Sequence, residues 1–247
     1  MATWVVGDIH GCFDDFMKIL NHKEVKKNDN FILIGDIIDR GPDSYKMLKW
    51  AMENVTDDGK YQMILGNHED NIIHEYINAL IFYGKNSDIS HLYCMYGFEI
   101  YMHEAGFERL SSIKPIIDWF GSLPLYKKVS VNTNSIKQDY IIAHAWYNKN
   151  RDRNTLLWDR DIDKNDFLTN DYEPINKEIL IHGHTPTISI RECIKEPVNQ
   201  VLFREHSINI DCGAVFSQYG GNLAAIRLED KKTIYANEQR KIIICYE

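Results

Sequence analysis

Three short apolar runs, each closed by Gly-Asp or Gly-Asn, set the pattern of the first third of the chain. They are Trp4-Val5-Val6 before Gly7-Asp8, residues 31–34 before Gly35-Asp36, and residues 61–65 before Gly66-Asn67. Continuous apolar runs of this length suit strands buried on both faces. Helical spacing follows the first two: Phe13, Phe16, Met17 and Leu20 form one stripe, and Ser44, Met47, Leu48, Ala51 and Met52 another. Strand–helix–strand alternation predicts parallel strands joined by right-handed crossovers. Such sheets gather function at the carboxyl ends of their strands, where all three Gly-Asp/Asn pairs fall.

Beyond residue 70 the pattern changes twice. Residues 71–123 read as mostly helical with loops, including helices over 71–81 and 115–120. Strand-like segments return at 125–131, 140–144, 179–182, 207–211, 223–228 and 241–246, with Gly220-Gly221 as a turn. The expectation is an α/β protein of one domain, residues 1–247. It has a central β-sandwich of mixed sheets flanked by helices, with a helical insertion over about 71–123.

Composition narrows the partners. Hydrophobic residues make up 44% of the chain, too many for disorder. A net charge of −8 argues against nucleic acid and membrane surfaces, both of which recruit Lys and Arg. Cys12, Cys94, Cys193, Cys212 and Cys245 are scattered with no CxxC, the usage of a reducing compartment. No apolar run is long enough to span a bilayer, and Met1-Ala2-Thr3-Trp4 opens no secretory signal. A cytoplasmic protein is expected.

The strand ends carry the chemistry. In Gly7-Asp8-Ile9-His10-Gly11, a carboxylate and an imidazole stand two positions apart, on one side of an extended chain. In Gly35-Asp36-Ile37-Ile38-Asp39-Arg40-Gly41-Pro42, Asp36 could bridge two cations, and Arg40 offers a planar fork for phosphate oxygens. Gly66-Asn67-His68-Glu69 adds an amide oxygen and an imidazole. His144 closes one later strand and His184 follows another in Gly183-His184-Thr185-Pro186. Any one of these histidines alone is more often a hydrogen-bonded core residue than a ligand. Their joint placement at strand ends is not explained that way.

The ordered set GDIHG, GDIIDRG, GNHE, a post-strand His and GHTP resembles the PPP-type metallophosphoesterases of the calcineurin-like superfamily. It is most similar to the lambda-type bacterial and phage serine/threonine protein phosphatases. The resemblance implies one metal held by Asp8, His10 and Asp36, and a second held by Asp36, Asn67, His144 and His184. Two divalent ions are implied, manganese first, with iron or zinc as alternatives. It also implies His68 as general acid, Asp39 as the carboxylate orienting it, and Arg40 and Arg160 as phosphate clamps. The reaction implied is phosphomonoester hydrolysis by a hydroxide bridging the two ions.

Two departures stand out. Ala145-Trp146 follows His144 where the family usually has Gly-Gly, so Trp146 is expected to reshape the cleft. His182 is a rival ligand to His184. The expected substrate is a phosphorylated protein or peptide, or a small phosphoester. Dinucleoside polyphosphate hydrolysis is the alternative, because Arg40-Gly41-Pro42-Asp43-Ser44 also resembles that branch. Asp39 and Glu69 follow the protein-phosphatase pattern. An inactive binding module is the third reading, disfavoured because no implied ligand, acid or clamp is missing. His22, His74, His91, His103 and His206 are expected to be structural, and Tyr93 to Phe98 to be packing residues able to line the cleft.

Overall fold

The computed structural model describes residues 1–133, 136–148, 150, 152–160, 174, 177–191 and 199–238. The strand expected at 241–246, together with Cys193 and Cys245, lies outside the described residues. The first half runs β1 (Thr3–Val6), α1 (Phe13–Leu20), β2 (Asn30–Leu33), α2 (Ser44–Asn54), β3 (Tyr61–Met63) and α3 (Asn67–Tyr83). Next come α4 (Phe98–Glu104), α5 (Lys114–Ser122), β4 (Tyr126–Thr133), β5 (Ile136–Ala143), α6 (Arg153–Trp158), β6 (Ile179–His182) and α7 (Thr187–Arg191). The last described elements are β7 (Leu202–Phe203), β8 (Ser207–Asn209), β9 (Ala224–Arg227) and β10 (Thr233–Tyr235).

Two five-stranded mixed sheets form, ordered β10-β9-β1-β2-β3 and β4-β5-β6-β8-β7. In the first, β1, β2 and β3 are parallel, with Val5 beside Ile32 and Ile32 beside Gln62. In the second, β5, β6 and β8 are parallel, with Ile141 beside Leu180 and Leu180 beside Ser207. The strand alternation of side chains explains the layering. Val5, Ile32 and Ile34 pack with Tyr140, Ile142, Ile181 and Ile208 between the sheets. Their strand neighbours Trp4, Val6, Phe31 and Leu33 face the opposite way, into a helical layer with Phe16, Ile19, Met47 and Leu48. A smaller cluster of Ile141, Ala143, Leu180, Tyr147 and Leu156 covers the outer face of the second sheet. Burial of each such side chain contributes about 1.5–3 kcal/mol.

The expected sandwich and its flanking helices are present. Two differences bear on the site. Helix α3 starts at Asn67, four residues before the expected 71, so the GNHE motif is its first turn and not a loop. Glu69 makes that start stable: its carboxylate accepts from the Gly66 N–H at 3.1 Å, as the third helical residue of a capping box does. Elements α6, α7, β7 and β10 leave no signal in the sequence pattern. Each has six residues or fewer, too short to display a period.

Candidate metal centre and phosphate site

The parallel strands of both sheets end along one rim. After β1 come Asp8 and His10, after β2 Asp36, and α3 opens just beyond β3 with Asn67 and His68. From the second sheet, His144 follows β5, His184 follows β6 and Asp211 follows β8. Main-chain bonds tie these ends together: Ile9 and His10 N–H donate to Asp36 O at 3.1 and 2.8 Å, and Gly183 N–H to His144 O at 2.9 Å. Asp8, His10, Asp36, Asp39, Asn67, His68, His144 and His184 are all at most 6% exposed.

Local backbone geometry is unusual here. Of seven described non-glycine residues with positive φ, five are His10, Asp36, Asp39, Arg40 and His184. Left-handed backbone costs roughly 1–2 kcal/mol per residue, so the surrounding pairing over-determines these turns. Gly183 serves the same approach differently: a Cβ there would run into Asp8 Oδ1 and the Ile34 side chain.

Asp36 stands at the centre. Its Oδ1 accepts the His68 N–H at 3.0 Å, capping α3, and lies 3.5 Å from His144 Nε2. Its Oδ2 lies 3.6 Å from His10 Nε2. His10 Nδ1–H donates to Ile38 O and His144 Nδ1–H to Ile34 O, both at 2.9 Å. These bonds fix each imidazole's tautomer and leave Nε2 as the lone pair facing inward, the orientation a metal-binding histidine takes. Burial holds His144 and His184 below the usual histidine value, and takes His10 down to about 3. All three are neutral donors near pH 7. On Asp36 burial works the other way and would raise it, but His144, His68 and His10 outweigh burial, and the carboxyl is held low.

The donor set fits divalent cations. Two groups of side chains, His10–Asp36–His68 and Asp36–His144–His184, bring ligand atoms within 4.8 Å of one another and share Asp36. His144 Nε2 and His184 Nδ1 both converge on Asn67 Oδ1, at 2.8 and 2.9 Å. Asp8 Oδ1 and His184 Nε2 are buried without a hydrogen-bond partner. Burial and the facing Asp211 and Asp36 carboxylates push Asp8 well up, and burial takes Asp211 up to about 7. So much unneutralised carboxylate in one dry place is what a bound cation relieves.

His68 differs from the other rim histidines. Its Nδ1 lies 2.7 Å from Asp39 Oδ2. Burial alone would lower it, but Asp36 and the Asp39 hydrogen bond raise it above the ordinary value. A cationic imidazole is a poor metal ligand and a good proton donor. Arg40 reaches over the same rim, its Nη1 at 3.0 Å from His10 Nε2. A cavity of about 260 Å³ opens beside Arg40, bordered by Phe13, Asp14, Asp15 and Asp43. Arg160 is exposed, and its charge is felt at His144, His184 and Asp211.

The rival His182 belongs to neither cluster; its buried ring meets Trp146 edge-on at 5.2 Å. Trp146 therefore packs toward the outer cluster of the second sheet. Four further residues have roles here that the sequence pattern does not assign. Asp211 reads as part of a strand block, although it repeats the apolar-run–Asp signal of the first motifs. Glu69 holds the Asp36 and Ile37 N–H groups, both at 2.9 Å, as well as Gly66. Tyr96 and Tyr101 reach the site from the segment between α3 and β4: Tyr96 stacks on His68 with centroids 4.6 Å apart, and Tyr101 Oη donates to Asp39 Oδ1 at 3.0 Å.

The chain is similar to known proteins both in sequence and in shape. The chain is 28% identical to the bis(5'-nucleosyl)-tetraphosphatase PrpE [asymmetrical] of Bacillus thuringiensis, over 93% of this chain and 92% of that protein. In fold it is similar to a candidate diadenosine tetraphosphatase (TM-score 0.55, 15% identity, 94% and 91% of the two chains). It is also similar to a protein serine/threonine phosphatase from Saccharomyces cerevisiae (TM-score 0.53, 17% identity, 95% and 78%). At such identities these two solved structures speak for the fold alone. Residues 1–216 match the calcineurin-like phosphoesterase family. The chain belongs to that family and is a hydrolase of phosphoester bonds.

Proposed function

We propose that this hydrolase cleaves phosphomonoesters, with phosphorylated serine or threonine in a protein or peptide as its substrate. The observation that carries the reading is the 2.7 Å contact between His68 and Asp39 beside the carboxylate-rich rim. One cation would be held by Asp8, His10 and Asp36, and the other by Asp36, Asn67, His144 and His184. Two such ions, manganese first, would supply Lewis acidity, neutralising phosphate oxygens and acidifying an attacking water near neutral pH.

The chain's own groups do the rest. Arg40 and Arg160 bind the non-bridging phosphate oxygens and counter their charge as the transition state forms. Asp39 accepts from His68 Nδ1–H, and, against burial, the Asp36 and Asp39 carboxylates raise this imidazole above its ordinary value and favour a second proton on Nε2. His68 hands that proton to the leaving oxygen as the phosphorus–oxygen bond breaks, which spares departure of an alkoxide. Asp14, Asp15 and Asp43 beside Arg40 favour a peptide over a polyphosphate, whose own charges they would repel.

A second reading, hydrolysis of dinucleoside tetraphosphates, draws on the name of the Bacillus relatives. Comparing kcat/KM for a phosphoserine peptide and for diadenosine tetraphosphate, on manganese-loaded protein, separates the two; preference for the dinucleotide rejects the first. The acid assignment is tested by His68→Asn. Bound metal should stay at the wild-type level while turnover falls roughly 10²- to 10⁴-fold. Turnover near wild type rejects it.

A further inference from the structure

The segment between α3 and β4 does more than cover the helical layer. Helix α4 begins after Gly97, whose φ of 73° turns the chain sharply, and is anchored by the buried side chains of Phe98 and Met102. Tyr101, one turn in, has its ring edge-on to Phe98 with centroids 5.3 Å apart. From that anchored ring the hydroxyl turns inward and donates to Asp39 Oδ1 at 3.0 Å. The other oxygen, Asp39 Oδ2, meets His68 Nδ1 at 2.7 Å. Both oxygens of this 2%-exposed carboxylate are therefore committed, one to each ring.

We propose that Tyr101 is a positioning residue for the proposed general acid, the third member of a Tyr101–Asp39–His68 hydrogen-bond chain. The proposal rests on the reading of His68 as proton donor. The physical reason is rotational. A carboxylate held at one oxygen can turn about its Cβ–Cγ bond and carry the imidazole with it. Held at both, it fixes the ring plane and therefore the line along which Nε2–H points. Misplacement of a reacting group by about 1 Å can cost roughly 10²-fold in rate. The hydroxyl is also a dependable donor: burial and the adjacent Asp39 push Tyr101 far above the ordinary tyrosine value, so it keeps its proton. Tyr96 stacks on the opposite side of the assembly, against the His68 ring. The same segment thus reaches the Asp39–His68 pair at both ends.

A tyrosine that only satisfies a buried carboxylate would support folding and leave the chemistry alone, and a double-mutant cycle distinguishes the two. Tyr101→Phe keeps the ring and its packing but removes the donor. On manganese-loaded protein, kcat and KM are measured for p-nitrophenyl phosphate and for phenyl phosphate, whose leaving group is poorer. The expected result is a fall in kcat of roughly 10- to 100-fold with KM unchanged, larger for phenyl phosphate. In the His68→Asn background the same substitution should cost nothing further. Asp29→Asn, at a buried carboxylate bonded to Ala2, Trp4 and Lys26 and away from α4, should lower the melting temperature and leave the ratio between the two substrates as in wild type. Equal losses on both substrates, or a loss that multiplies in full with that of His68→Asn, would overturn the proposal. If His68→Asn alone is near wild type, the acid assignment fails first and independently.

Discussion

The strand-end rim and the helical segment between α3 and β4 meet at His68, and they are built on different principles. On the rim, each donor is fixed by the main-chain pairing of two sheets, with turns forced into left-handed conformations. In the segment, the contacts to the site are made by side-chain tips. Tyr93 and Met95 lie 84% and 79% exposed, while Tyr96 just after them, 40% exposed, bends back over His68. A sheet edge cannot shift one donor without breaking its ladder, which suits the rigid demands of cations. A helical segment tied by aromatic contacts can vary its exposed face and still reach the reacting groups. The difference suggests that the rim sets the chemistry and the segment tunes its orientation and access.

The sharpest way to break that division is at Asp36. It is shared by both ligand groups, and its other task is to cap α3. Asp36→Asn should release metal from both positions and reduce turnover by roughly 10³-fold or more, since metal ions contribute several kcal/mol to such reactions. Metal content by atomic absorption, measured beside turnover, checks it. Wild-type metal content with activity within tenfold would mean the rim is not the centre of the chemistry.

Tyr96 probes the other side of the comparison with a smaller expected effect. The Arg40 guanidinium lies 4.8 Å from its ring centroid, and Arg40 Nη2 donates to its hydroxyl at 3.1 Å. Contacts of this kind contribute about 0.5–1.5 kcal/mol each. Tyr96→Ala should therefore lower kcat/KM about 3- to 10-fold and raise the inhibition constant of inorganic phosphate by a similar factor, with metal content unchanged. A loss comparable to that of Asp36→Asn would dissolve the distinction between the two regions.

The same division governs what could be read from the sequence. Strand-end residues are legible because an apolar run announces the strand and the residue after it inherits the position: Asp8, Asp36 and His144 are found this way. The late carboxylate Asp211 obeys the same rule, but the apolar pattern runs on past it, so the sequence does not show that the strand ends at Asn209. Tyr96 and Tyr101 have no such signal. Their neighbours Cys94, Phe98 and Met102 are buried while Tyr93 and Met95 are exposed, and a run of mixed aromatics does not say which one faces the cleft. That choice is made by how α4 docks, through contacts distant in sequence. Glu69 is an intermediate case. The capping-box spacing is visible, but its hold on the Asp36 and Ile37 N–H groups depends on two strand ends meeting.

A site remote from both regions gives the smallest effect on activity and a clean control. Asp29, 1% exposed, accepts from Ala2 N–H at 2.8 Å, Lys26 N–H at 2.9 Å and Trp4 Nε1–H at 3.0 Å, closing the turn that leads into β2. Burial works to raise its value, but these three bonds outweigh it and Asp29 is held below the usual aspartate range. A carboxyl lowered on folding stabilises the protein fully above its unfolded value of about 4, and that contribution is lost as pH falls through the lower folded value. Asp29→Asn leaves one oxygen where three donors converge, and hydrogen bonds to a charged group contribute about 1.5–3 kcal/mol. The melting temperature near pH 7 should fall by roughly 3–12 °C, with turnover at low temperature within about twofold of wild type. Below pH 4 the gap between the two melting curves should narrow, and it should close once pH passes the lower folded value and the wild-type carboxylate loses its charge too. A gap as wide at pH 3 as at pH 7 would show that the packing of the side chain, and not its charge, holds this turn.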